Sequence, residues 1–177
     1  ITSYDGPLQV ELTVEQAHSE DEKPGALGAL GQLVEAQHLT GPLFIAGGDN
    51  LFDFNLDRLV ELHEATGDDI IALYDVQSRE LAQLYGIATL EDGVIVDFVE
   101  KPSVPRSTLA ATACWLLSSS GVSALDNFLA GGGQRDALGH FLAWRSSCAT
   151  VRGIAYAGTW FDIGDPESYA AACAHFS

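Results

Sequence analysis

Leu43-Phe44-Ile45-Ala46-Gly47-Gly48-Asp49-Asn50 is the stretch on which the fold turns. Four apolar residues halted by two glycines read as a fully buried strand that breaks into a loop. Such a strand needs cover on both faces, which points to an α/β sheet flanked by helices. In open α/β sheets ligands settle where loops leave the carboxyl ends of strands, and Asp49 stands at such an end.

Working outward, short apolar runs alternate with helix-like windows, the layout of a mainly parallel sheet with crossover helices. Residues 27–38 read as a helix after Pro24-Gly25. Residues 56–65 read as a second, with Leu56, Leu59, Val60 and His63 on one side. Residues 69–76 form the next strand, and Ser78 is placed to cap a short helix reaching Leu84. The pattern then changes: two β-rich runs between Tyr85 and Glu100 flank Glu91-Asp92-Gly93, whose Asp-Gly pair tolerates positive φ and predicts an antiparallel hairpin. A strand over 108–117, helices over 121–129 and 136–145, a strand over 150–156 and a last helix opened by Asp165-Pro166 complete the reading. At the other end Leu8, Val10, Leu12 and Val14 alternate with polar residues, the pattern of a strand with one buried face. No repeat or linker interrupts the 177 residues, so residues 1–177 are expected to form one domain.

Composition excludes several classes. Twenty-five acids against eight lysines plus arginines give a net charge of −17, which opposes binding to nucleic acid. The same excess suits a halophilic protein, because added ions screen the repulsion that opposes compaction. No apolar run approaches the roughly 20 residues that cross a bilayer, and Ile1 to Pro7 lack the layout of a signal peptide, so a cytoplasmic location without membrane partners is expected. Cys114, Cys148 and Cys173 lack paired spacing and the five histidines form no zinc-like cluster. The chain contains no methionine and starts within patterned sequence, which reads as part of a longer protein.

Two acids stand where buried strands break at glycines: Asp49, and Asp162 within Gly158-Thr159-Trp160-Phe161-Asp162-Ile163-Gly164. Magnesium takes carboxylate oxygens and often only one or two protein ligands alongside water and substrate phosphates, so this pair is a candidate Mg2+ site. An aspartate beside glycine also caps turns, and the residues alone leave both readings open. Lys101, one of two lysines in the chain, follows Glu100 at a strand end and offers a point charge for a phosphate. Glu100 can accept hydrogen bonds from sugar hydroxyls.

Gly47-Gly48-Asp49-Asn50, Tyr85-Gly86, Asp97-Phe98-Val99-Glu100-Lys101-Pro102 and the run from Trp160 to Tyr169 occur in the order and spacing of the sugar-1-phosphate nucleotidyltransferases. From about Gln9 to its end the chain resembles that family, which includes glucose-1-phosphate thymidylyltransferases and mannose-1-phosphate guanylyltransferases. The resemblance implies a Rossmann-like α/β fold and a reaction joining a nucleoside triphosphate to a sugar 1-phosphate, with release of pyrophosphate. It further implies that Asp49 and Asp162 hold Mg2+ against the α-phosphate, that Lys101 contacts the sugar phosphate, that Glu100 contacts the sugar hydroxyls, and that Gly86 lends backbone groups. Gln16 and Gly25 would line the nucleotide base.

Two departures accompany the resemblance. The family's opening G-G-x-G-T-R loop has no counterpart before Gln9, so the chain reads as an N-terminally truncated version of the fold. Gly131-Gly132-Gly133-Gln134-Arg135 follows a helix and is read as a helix-helix connection instead. Thr112-Ala113-Cys114 also replaces the glycine that the family usually places near the sugar. A non-catalytic sensor of sugar phosphate or nucleotide is the alternative. A magnesium phosphatase would need an aspartyl nucleophile in a D-x-D arrangement, which is missing around Asp53. A sheet lacking its first strands would expose an edge and favour a homo-oligomer.

Overall fold

The computed structural model describes residues 10–14 and 23–176. The helices and strands are α1 (Gly25–Ala36), β1 (Leu43–Ala46), β2 (Asn50–Phe52), α2 (Asp57–Thr66), β3 (Asp69–Asp75), α3 (Arg79–Ala82), β4 (Gly86–Glu91), β5 (Val94–Glu100), β6 (Leu109–Leu117), α4 (Ser119–Ala130), α5 (Leu138–Cys148), β7 (Val151–Tyr156), β8 (Trp160–Asp162) and α6 (Pro166–His175). The main sheet has the order β1-β6-β3-β7-β5-β4, and β2 and β8 pair separately.

The expected α/β layering is present, with one refinement of strand direction. β1, β3, β4 and β7 run one way and β5 and β6 the other, so most strands share a direction. Because the reversed strands lie between the others, β3–β7 is the parallel pairing among the described residues. The β4–β5 hairpin crosses the sheet, meeting β6 through Ile87 and Ala88 and β7 at Val94.

β3 explains the layering: Asp69, Ile70, Ile71, Ala72 and Leu73 are all buried, so the strand is covered on both sides. Ile71 and Leu73 pack with Leu27 of α1, Leu125 and Phe128 of α4, and Phe141 and Leu142 of α5. Ile70 and Ala72 pack on the opposite side with Leu59 of α2, Cys114, Leu116 and Ile154. Alternate residues thus serve two cores, and each fully buried leucine contributes about 1.5–3 kcal/mol relative to exposure.

Local chemistry sets the element ends. The side chain of Ser78 accepts from the Leu81 amide at 3.2 Å and caps α3. Asp165 and Ser168 form a capping box at α6, with Pro166 in its first turn. At the hairpin tip Asp92 and Gly93 adopt φ of 49° and 78°, the pair of positive values that a two-residue turn with matching twist requires. Gly67 (φ 73°) ends α2 by donating its amide to the His63 carbonyl at 2.7 Å.

Several expectations are corrected. Residues 10–14 lie outside the strands, and Val10, Leu12 and Val14 are all exposed; Leu8 and Gln9 fall outside the described residues. β1 is half-buried instead of fully buried, with Phe44 exposed, because β6 is its neighbour on one side only among the described residues. Leu59 is the buried member of its helix face, whereas Val60 is exposed. Cys114 is a core residue, but Cys148 and Cys173 are exposed. Among the described residues no helix is long and apolar enough to cross a membrane.

Candidate active site

Asp49 and Asp162 are brought together by β2 and β8, a pair of three-residue strands. Asn50 lies opposite Asp162 and Phe52 opposite Trp160, while the Ile163 amide donates to the Asp49 carbonyl at 2.8 Å. The far end of this ribbon is closed by Asp53, whose side chain accepts from the Thr159 amide at 2.7 Å. That bond, followed by lesser contributions from Thr159 and His175, holds the Asp53 carboxyl below its ordinary pKa. His175 Nε2 stands 3.5 Å from Asp53 Oδ2, which ties α6 to the ribbon. Asp53 thus serves the scaffold.

Both acids face a cavity of about 380 Å3, which also contains Gly86, Glu100 and Lys101. The sequence-predicted pair Gly86 and Glu100 lie directly opposite each other in the hairpin register. Lys101 follows with φ 47°, and its amide donates to the Tyr85 carbonyl at 3.0 Å. A left-handed conformation at a non-glycine residue costs about 1–3 kcal/mol and is retained where surrounding structure fixes it. Here the bond from the Lys101 amide to Tyr85 ties it to the start of the hairpin.

Electrostatics link these groups. The Asp162 carboxyl is raised above its ordinary pKa by burial first and by the Asp49 charge second, while Lys101 pulls it down. Asp162 is nonetheless exposed, so partial cover by the surrounding protein, not full enclosure, causes the rise. An acid whose ionised form is disfavoured by a neighbouring carboxylate forms a setting that a cation relieves. Among the described residues no group of three or more His, Cys, Asp or Glu side chains is placed to hold a metal. As a donor set, two carboxylates match a hard divalent cation that completes its shell with water and phosphate oxygens, and not the four-ligand nitrogen and sulfur cage of structural zinc.

Parts of the site were not foreseen from the sequence. Ala137, Leu138 and Gly139 at the start of α5 line the wall facing the hairpin. A β-carbon on Gly139 would overlap the Glu100 carboxylate, and one on Gly86 would stand 2.8 Å from Glu100 Oε2. The carboxylate is therefore wedged between two glycines at a helix N-terminus, where the dipole favours negative charge. Trp160 is flanked by Tyr85 and Tyr74, with ring centroids 5.1 and 5.7 Å away. The Tyr85 hydroxyl is raised above its ordinary pKa by burial and then by Asp162 and Asp165. No periodicity marks these residues, but glycine at the start of a helix-like window is a signal of close approach.

Other predicted features are placed differently. Gly25 (φ 74°) packs against the Arg135–Asp136 backbone and it is Ala26 that lines the cavity. Gln16 lies outside the described residues. Thr112 is buried and donates to the Ala72 carbonyl at 2.9 Å, while the backbone carbonyl of Ala113 accepts from Gly47 at 2.8 Å. This segment joins β1 and β3 to the cavity. The run from Gly131 to Gly133 connects α4 to α5 as expected.

Comparison with known proteins names the class to which this α/β scaffold belongs. A family profile described as nucleotidyl transferase matches residues 4–177, and the chain belongs to that family. A glucose-1-phosphate adenylyltransferase of Thermotoga maritima is 25% identical over 174 residues, covering 93% of this chain and 41% of that protein. Its counterpart in Thermomicrobium roseum is 30% identical over 136 residues, covering 72% of this chain and 30% of that protein. Among solved structures, UDP-glucose pyrophosphorylase complexed with UDP-glucose superposes with a TM-score of 0.73 at 22% identity, over 86% of this chain and 62% of that one. At that identity the likeness establishes the fold. The chain spans less than half the length of these curated relatives.

Proposed function

We propose that this chain provides the metal-binding and sugar-phosphate-binding part of an enzyme that joins a nucleoside triphosphate to a sugar 1-phosphate. One observation carries the reading: Asp49, Asp162, Lys101, Glu100 and Gly86 line the same cavity although the sequence disperses them. Asp49 and Asp162 would hold Mg2+, which supplies charge neutralisation at the α-phosphate when bound. Lys101 offers an ammonium to the sugar phosphate. Glu100 accepts from sugar hydroxyls, with the helix and the two glycines fixing its carboxylate.

In the proposed reaction an oxygen of the sugar phosphate attacks the α-phosphorus. A new phosphorus–oxygen bond forms as the bond to the bridging oxygen breaks, and pyrophosphate departs with the electron pair. The attacking oxygen is already anionic, so the protein need not remove a proton, and rate comes from positioning and electrostatics. The cavity volume is within the range of small-ligand sites. Gln16 and Gly25 remain proposed contacts to the base. The reading also takes the chain as one partial domain of a cytoplasmic, salt-adapted protein.

The test is pyrophosphate release by the full-length protein with Mg2+, a series of nucleoside triphosphates and a series of sugar 1-phosphates. Release that needs both substrates and is lost in Asp162→Asn supports the proposal. Binding of sugar phosphate or nucleotide without release from any combination supports a sensor instead.

A further inference from the structure

Asn50 makes three polar contacts that together fix its neighbour. Its Oδ1 accepts from Trp160 Nε1 at 2.7 Å and from the Ala113 amide at 3.4 Å, and its Nδ2 donates to Asp49 Oδ1 at 2.8 Å. An indole N–H and a backbone N–H can only donate, so the amide oxygen must face them and the NH2 group must face the carboxylate. The orientation is chemically dictated.

The backbone reinforces this arrangement. A β-carbon on Gly47 would stand 3.0 Å from Asp49 Oδ1, 3.1 Å from Asn50 Nδ2 and 2.6 Å from the Ala113 Cβ. The turn thus closes tightly over the amide–carboxylate contact. Asn50 also pairs with Asp162 in the β2–β8 register, so one residue touches Asp49 through its side chain and neighbours Asp162 through its backbone. No other described residue does both in the contacts above.

We infer that Asn50 is a positioning residue for the cation site: it occupies Oδ1 of Asp49, turns Oδ2 toward the cavity, and relays this orientation from Trp160. The inference rests on the assignment of Asp49 and Asp162 to a divalent cation. A hydrogen-bond partner that orients a ligating carboxylate characteristically changes metal affinity by about 10–100-fold when removed. Trp160 would act one bond further away.

Direct Mn2+ binding, measured by electron paramagnetic resonance and calorimetry on the protein without substrates, tests this. Asn50→Ala should weaken Mn2+ by about 10-fold or more, and Trp160→Phe, which keeps an aromatic ring but removes the N–H, should weaken it by a smaller factor. The double variant should bind no worse than Asn50→Ala alone, since both changes break one relay; additive losses would overturn the relay. Wild-type affinity in Asn50→Ala would overturn the inference while leaving the metal site intact. Equal affinity in wild type and Asp162→Asn would overturn the metal assignment beneath it. Should Asn50→Ala fail to fold by circular dichroism, Trp160→Phe decides, because it leaves Asp49 and Asn50 in place and an unchanged affinity refutes the relay.

Discussion

Asp69 and Arg145, 76 residues apart in the chain, meet at 2.7 Å between Oδ2 and Nε with their side chains almost wholly removed from solvent. The other oxygen of Asp69 accepts from the Ser118 amide at 2.7 Å and its hydroxyl at 2.6 Å. This carboxylate therefore joins the start of β3 and the cap of α4 to the last turn of α5. Since the opposite end of α5 forms a cavity wall, the ion pair fixes the helix that confines Glu100.

Removing one partner of a buried pair leaves the other charge uncompensated. Arg145→Ala should cost about 3 kcal/mol or more, a fall in Tm of roughly 6–12 °C for a chain of this size. Calorimetry on the purified protein checks it, and a change below 2 °C would need about 1 kcal/mol or less, which contradicts a tightly held pair.

Asp162 offers a trade between stability and function. Its pKa is raised in the fold, so the ionised form is disfavoured relative to the unfolded chain, and the penalty is present at pH above the folded pKa and relieved as pH falls through it. Asp162→Asn should therefore raise the metal-free Tm at neutral pH while abolishing turnover. Solvent screening keeps the gain under about 1 kcal/mol, or roughly 2–4 °C at most. The difference from wild type should shrink on acidification; a gap that grows toward low pH contradicts the assigned sign.

Gly139 has no room for a methyl group beside Glu100. Gly139→Ala should displace the carboxylate and raise KM for the sugar phosphate by about 10-fold or more, the order of one lost charge-assisted hydrogen bond. KM for the nucleoside triphosphate should change far less. Steady-state kinetics varying each substrate separates the two, and an equal rise in both would point to general disruption.

Tyr156 carries a buried hydroxyl without a hydrogen-bond partner among the described residues, its ring stacked against Phe54 with centroids 4.5 Å apart. Tyr156→Phe keeps the stacking and removes a polar group that folding strips of water. It should be neutral or stabilising by up to about 1–3 kcal/mol, read as an unchanged or higher Tm. Destabilisation beyond experimental error would show that the hydroxyl has a partner.

A net charge of −17 sets the response to salt. Raising KCl from about 0.1 M to about 1 M shortens the screening length from about 10 Å to about 3 Å, so Tm should climb by several degrees across that range. A flat or falling curve would show that the acids are spaced well enough to need no screening.

The sequence made much of this architecture legible because its signals are local. Asp92-Gly93 could make only a tight hairpin turn, Asp165-Pro166 could only open a helix, and the apolar runs of β3, β6 and β7 were long enough to mark strands. What escaped had no period to betray it: β2 and β8 are three residues each, and they exist because Asn50 meets Asp162 and Trp160 across the fold. The exposed residues 10–14 show the reverse error, where alternation was present without a burying partner. For the site, acids at glycine breaks and one of the two lysines at a strand end identified Asp49, Asp162 and Lys101 as candidates. The start of α5 was invisible as a wall because only tertiary packing brings Gly139 to Glu100.

The β2–β8 ribbon joins positions separated by 110 residues, as the Trp160-to-Asn50 bond records. During synthesis on the ribosome Asp49 emerges well before the strand that completes its neighbourhood, and closing so long a loop is an entropically late event. Asp49 therefore has no acidic neighbour across the ribbon until residue 162 has been made, and before that point the growing chain presents only half of the two-acid pocket.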